Sequence, residues 1–157
     1  MNLPQESKIL IYQAIRNFTS EEIDEIEQSL DSFMSDWNAH GAELTAAYAL
    51  PYDRFIVIAV DETLVKTSGC SVDSLTQFIK GIEAKFNLGL LNNMMVSYSI
   101  NNEIFTIPLN EFKQKVKQDE IPQHASVFHN GVKTLSDFEE SWELPLSESW
   151  VNVLLNK

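Results

Sequence analysis

The residues best suited to chemistry lie in Ser68-Gly69-Cys70-Ser71-Val72-Asp73-Ser74, where the single cysteine sits among small polar neighbours. Ser71 can cap a helix whose apolar stripe is Val72, Leu75, Phe78, Ile79, Ile82 and Phe86. Cys70 then stands just ahead of a helix N-terminus, whose free N–H groups and partial positive charge favour a thiolate or a bound anion. Gly69 lets the backbone approach a ligand, and Ser71 and Ser74 add hydroxyls. In the plainer alternative Ser71 only caps, Gly69 only turns the chain, and Cys70 is a small buried apolar residue. Asp61-Glu62 offers adjacent carboxylates at the end of an apolar strand, and Gln13 and Arg16 follow another.

Cys70, Asp61 and Glu62 are therefore the catalytic candidates, and Gln13, Arg16, Gly69 and Ser71 the ligand-binding ones. If the first and third strands run parallel, their C-terminal ends meet the second helix's N-terminus. Gln13, Arg16, Asp61, Glu62, Cys70 and Ser71 then share one edge of the sheet. The plainer alternative there is an Arg16–Asp61 salt bridge with loop capping. His40, at the end of the first helix, falls at the opposite end of the sheet in this arrangement, which argues against a Cys70–His40 dyad.

Other chemistries lack their residues. The five glycines, at 41, 69, 81, 89 and 131, fit neither G-x-G-x-x-G nor G-x-x-x-x-G-K-[ST]. No C-x-x-C or H-E-x-x-H occurs, and His124 and His129 are spaced wrongly to share a helix face. No metal and no cofactor is expected.

The elements that must position these residues follow from periodicity. Lys8–Gln13 reads as a strand. Thr19-Ser20-Glu21-Glu22 is a capping box, and Ile23, Ile26, Leu30, Phe33 and Trp37 then recur at helical spacing. This predicts a helix from about Ser20 to Ala39, stopped by Gly41. Leu44, Ala46, Tyr48 and Leu50 alternate as a half-buried strand, Pro51-Tyr52-Asp53 turns, and Phe55–Val60 runs apolar like a strand covered on both faces. Gly81 weakens the second helix and marks a close packing contact. Met95–Ile100, the Asn101-Asn102 turn and Glu103–Ile107 form a hairpin, and a short helix covers about Glu111 to Asp119. Ser126–His129 and Val132–Thr134 suit a second hairpin around Asn130-Gly131. Helix starts are expected at Ser136 and at Ser147, the latter running through Leu154.

The order β-α-β-β-α-β predicts an α+β, ferredoxin-like core. Both helices lie on one face of an antiparallel sheet of order 4-1-3-2, with the first and third strands as parallel central neighbours. Ile11, Ile26, Leu30, Ile56, Ile58, Phe78 and Ile82 should share the core. One domain spans 1–157, with its core at about 7–108 and a C-terminal hairpin and helix extension at about 109–157.

Composition narrows the partners. The chain has 157 residues, 44% of them apolar, and 23 acids against 11 bases give a net charge of −12. Nine acids and no Lys or Arg lie between Asn17 and Asp53. Nucleic acid is therefore not expected as a ligand. One cysteine forbids an internal disulfide, and neither a secretion signal nor an apolar run of membrane-spanning length is seen, so a cytoplasmic protein without membrane insertion is expected. Trp142 and Trp150 could anchor an interface.

Ile11-Tyr12-Gln13, His40-Gly41, Tyr52-Asp53-Arg54-Phe55, Val60-Asp61-Glu62, Ser68-Gly69-Cys70-Ser71-Val72-Asp73, Phe78-Ile79-Lys80 and Ser149-Trp150 together resemble a family of small uncharacterised bacterial proteins. Its members are often labelled "ABC transporter ATPase". The resemblance implies no mechanism, and without a Walker A loop or signature motif ATPase activity is not carried over. The reading is a non-enzymatic acidic domain binding a protein or small-molecule ligand, with self-association compatible. The alternative is a small enzyme built on a thiol or anion-binding loop around Cys70 with Asp61 and Glu62.

Overall fold

The computed structural model describes residues 1–151 and is a mixed α and β protein with antiparallel sheets. It forms two compact units. The first comprises Met1–Leu91 with Lys133–Ser136, and the second Asn92–Val132 with the residues from Asp137 on.

In the first unit, β1 (Lys8–Gln13) leads into α1 (Ser20–Asp36). A small hairpin of β2 (Asn38–Ala39) and β3 (Ala42–Glu43) follows, then β4 (Thr45–Ala49), β5 (Phe55–Asp61) and α2 (Gly69–Phe86). The sheet order is β1-β5-β4, the expected adjacency of the first three long strands. Their direction corrects the expectation: β1 and β5 are antiparallel, with Gln13 opposite Phe55 and Lys8 opposite Val60. Alternating chain direction makes every neighbour in this sheet antiparallel. The expected fourth strand, Met95–Ile100, pairs in a different sheet. On its outer edge β1 instead meets the returning segment, where Ile9 N–H donates to the Lys133 carbonyl and Lys8 bridges Thr134.

Both helices pack on the face of the sheet that presents Ile56, Ile58 and Val60. Ile26 and Leu30 from α1 and Leu75 and Ile79 from α2 are fully buried there. Burying one such side chain is worth about 1.5–3 kcal/mol. Leu10 and Tyr12 join this core, whereas Ile11 lies on the other face with its partner Val57. Side chains alternate along a strand, so the expected membership of Ile11 is off by one position. Val57 and Ala59 are fully buried too, so β5 is covered on both faces.

The second unit contains β6 (Met95–Ile100), β7 (Glu103–Pro108), α3 (Leu109–Lys117), β8 (Ser126–Phe128) and β9 (Glu143–Pro145). α4 (Leu135–Ser141) starts in the returning segment of the first unit. The sheet order is β7-β6-β8-β9. Asn101 and Asn102 both take positive φ, as the two-residue β6–β7 turn requires. β8 pairs with β6 and β9 rather than with Val132–Thr134, which corrects the second expected hairpin. Phe112 and Val116 of α3 bury against Tyr98 and Val127. Past Leu146–Glu148, a single turn of 3-10 helix, the expected last helix reaches beyond the described residues.

Candidate functional site

The site is a cleft of about 770 Å³ in the first unit, between the C-terminal half of α1 and the N-terminal half of α2. Its walls follow from how the two helices end. α1 starts on the expected capping box: Thr19 Oγ1 accepts from Glu22 N–H at 3.1 Å, and Thr19 N–H donates to Glu22 Oε1 at 2.8 Å. It stops at Asp36, three residues early, because Trp37 is extended and the chain enters the β2–β3 hairpin. His40 and Gly41 take φ of 52° and 80° at its tip. A two-residue turn of that hand needs positive φ twice, so Gly41 serves a hairpin rather than ending a helix.

α2 begins earlier than expected. Its cap is Ser68, whose Oγ accepts from Ser71 N–H at 3.0 Å, while Ser68 N–H donates to Ser71 Oγ at 2.7 Å. Ser71 is therefore the second partner of a capping box and is buried. Gly69 opens the helix, and a side chain there would meet nothing within 4 Å, so no packing within the chain requires a glycine at that position. Cys70 lies in the first turn and is exposed, which rules out the buried apolar role.

Phe33, Trp37 and Phe78 line the cleft as aromatic residues. Phe33 stacks on Phe78 with ring centres 4.6 Å apart and lies 5.3 Å from Trp37. Trp37 is buried, and its indole N–H donates to the Ser71 carbonyl at 2.8 Å, tying the end of α1 to the start of α2. Short hydroxyl side chains, Ser29 and Ser32 from α1, Ser74 from α2 and its cap Ser68, also line the cleft, with Asp36, His40 and Cys70.

The antiparallel sheet splits the residues expected at one edge. Asp61 pairs with Thr45 at the end of the sheet where α1 finishes and α2 begins. Gln13, paired with Phe55, is at the far end. Arg16 is there as well. Its guanidinium forks onto both Glu22 carboxylate oxygens at 2.8 Å and donates to the Phe86 carbonyl at the C-terminal end of α2. The Arg16–Asp61 bridge considered from sequence is replaced by this fork. Hydrogen bonding to Arg16 holds the Glu22 carboxyl down at about 2 against the opposing effect of its burial. The same reversal brings His40 to the cleft that Cys70 lines, contrary to expectation.

Asp61 and Glu62 organise the loop between β5 and α2. Asp61 Oδ1 accepts from the Thr63 hydroxyl and N–H at 2.6 and 2.9 Å, which lowers its pKa. Glu62 Oε2 accepts from the Thr67 N–H and hydroxyl at 2.7 and 2.8 Å. Burial pushes the Glu62 carboxyl up, but these bonds and the charges of Lys8 and Lys66 outweigh it, and the net direction is down. Neither carboxylate lines the cleft.

Sequence reasoning missed Phe33, Asp36, Trp37, His40 and Phe78 as one site. A signal was present in the small residues: serines at 29 and 32 flank the α1 stripe, and Ser74 flanks that of α2. Short side chains there leave room between the two helices. Among the described residues no group of three His, Cys, Asp or Glu could hold a metal ion, and no helix is long and apolar enough to cross a membrane. Comparisons with protein-family models, curated proteins and solved structures return no match.

Proposed function

We propose that this protein is a non-enzymatic binding domain that holds a small organic ligand between α1 and α2. The observation that carries the reading is the make-up of the cleft: aromatic rings together with short hydroxyl side chains, around about 770 Å³. Ligand sites combine an apolar, aromatic lining with a few polar groups in that range of volume. The engagement of Asp61 and Glu62 within their own loop, and of Arg16 with Glu22 of α1 and the end of α2, supports binding over catalysis. The test is a fragment screen by NMR on the labelled chain. Shifts should gather on Phe33, Trp37 and Phe78, and Ser74→Trp, which fills the cleft, should abolish them. Shifts that gather elsewhere, or survive Ser74→Trp, refute the reading.

A second reading, a small thiol enzyme, is favoured by one observation: exposed Cys70 shares the cleft with His40. Its mark is alkylation of Cys70 by iodoacetamide that stays fast well below pH 8 and slows in His40→Ala. An ordinary thiol profile, unchanged in that variant, excludes it.

The accompanying fold reading is a ferredoxin-like first unit, in which the Lys8–Thr134 bridge takes the edge position of a fourth strand. Cytoplasmic location, avoidance of nucleic acid and the likeness to the small bacterial family, without ATPase activity, belong to the same proposal.

A further inference from the structure

We infer that the ligand of the α1–α2 cleft is a planar organic cation, such as a guanidinium, an amidinium or a protonated heteroaromatic base. The inference rests on the ligand-binding reading above and adds the charge and shape of the occupant.

The charge follows from a balance at the cleft. α1 ends there and α2 begins there. A helix C-terminus carries about half a negative charge and an N-terminus about half a positive one, so the two ends nearly cancel. Neither end is offset by a side chain of its own: α1 has no basic residue in its last turn, and α2 has no acid in its first. What remains is the full negative charge of Asp36, an exposed side chain that lines the cleft. No Lys or Arg lines the cleft, and none occurs anywhere from Asn17 to Asp53. Farther along α2, Lys85 is committed to an ion pair with Glu25 of α1. An anion entering the cleft would meet Asp36 with no Lys or Arg, and only the imidazole of His40, to oppose it.

The shape follows from the rings. Phe33 and Phe78 are half-buried in the cleft lining; stacking takes one face of each, and the ring surface left exposed is what a flat ligand can meet. An aromatic face attracts a cation, and the attraction grows as water is excluded. Asp36 beside these rings can pair with the rim N–H groups of a flat cation, and the serine hydroxyls can accept from the rest.

Three probes of nearly identical shape separate the possibilities: benzamidinium, neutral benzamide and anionic benzoate. Each is titrated into the labelled protein, following the Phe33, Trp37 and Phe78 signals. Benzamidinium should bind at least about fivefold more tightly than benzamide, and benzoate more weakly than either. Asp36→Asn, an exposed change that leaves the packing intact, should bring benzamidinium close to benzamide. Phe78→Leu, which keeps an apolar contact but removes the ring, should reduce the same preference independently. Equal binding of all three probes at these signals would overturn the cation while leaving the ligand site standing. Preference for benzoate would overturn it in favour of an anion held by the start of α2. Absence of any shift at the cleft with all three overturns the inference and the ligand-binding reading together.

Discussion

Replacing Glu22 with Gln tests how the start of α1 is held. The amide keeps an oxygen for the Thr19 N–H and for Arg16 Nη1, so the capping box survives, while the charge and the Arg16 Nη2 hydrogen bond of the fork are lost. In the folded protein the Glu22 carboxyl sits at about 2, against an ordinary 4.5. Linkage makes that difference worth at most about 3 kcal/mol. The Arg16 side chain is 43% exposed while that of Glu22 is 12% exposed, so solvent screens the pair from one side. Discounted for that screening, the expected loss at pH 7 is about 1–2 kcal/mol. The sign is fixed by the direction of the shift. A carboxyl depressed by folding contributes fully above its unfolded pKa of 4.5 and loses that contribution as pH falls toward about 2. Urea unfolding of both proteins at a series of pH values should therefore show a gap that is constant from pH 7 to about 5.5 and closes toward pH 2. Taking the difference cancels the titration of the other acids. A gap below about 0.3 kcal/mol at pH 7, or one that does not narrow in acid, would falsify the claim that this fork stabilises the fold.

Ile58→Ala empties the middle of the first core, where Ile58 is fully buried, and should cost about 2–5 kcal/mol in urea unfolding. Gly81→Ala should stabilise by up to about 1 kcal/mol, since the new methyl meets nothing within 4 Å and the position lies inside α2. That corrects the expected close packing contact at Gly81. Gly89→Ala should destabilise by about 1 kcal/mol or more, because φ is +75° and the added carbon would lie 2.8 Å from Ile15 Cγ2; thermal melts of the two variants should move in opposite directions. Fluorescence anisotropy should detect no binding to single- or double-stranded DNA at physiological salt, because the Asn17–Asp53 stretch carries acids and no base.

What the sequence made legible was local. Thr19 and Glu22 sit three residues apart and cap α1 as their spacing implies. Phe55–Val60, apolar without a break, is the central strand, and both helices cover one face of its sheet. What escaped depends on partners distant in the chain. Nothing within Lys8–Gln13 says which way its neighbour runs, and taking that neighbour as parallel moved Gln13 and Arg16 to the wrong end of the sheet. His40 followed the same error. The sequence around His40-Gly41 suits both a helix stop and a hairpin turn, and packing of Trp37 against α2 selects the turn. The site is accordingly legible in composition, with serines beside aromatic residues, but not in location.

The bridge between Lys8 and Thr134 also has a consequence for synthesis. β1 and β5 can pair once the first sixty or so positions are made, yet the outer edge of β1 waits for Lys133. Throughout that interval the second unit's β6–β7 hairpin is being translated, and a strand edge with unpaired N–H and C=O groups faces solvent. Any nascent or truncated chain that stops short of residue 133 therefore carries an adhesive seam in an otherwise assembled sheet. Such chains should be captured by chaperones or by one another, whereas a few more residues, through Ser136, cover the Lys8 end of that edge by adding the Leu135 and Ser136 N–H bonds to the Ser7 and Gln5 carbonyls.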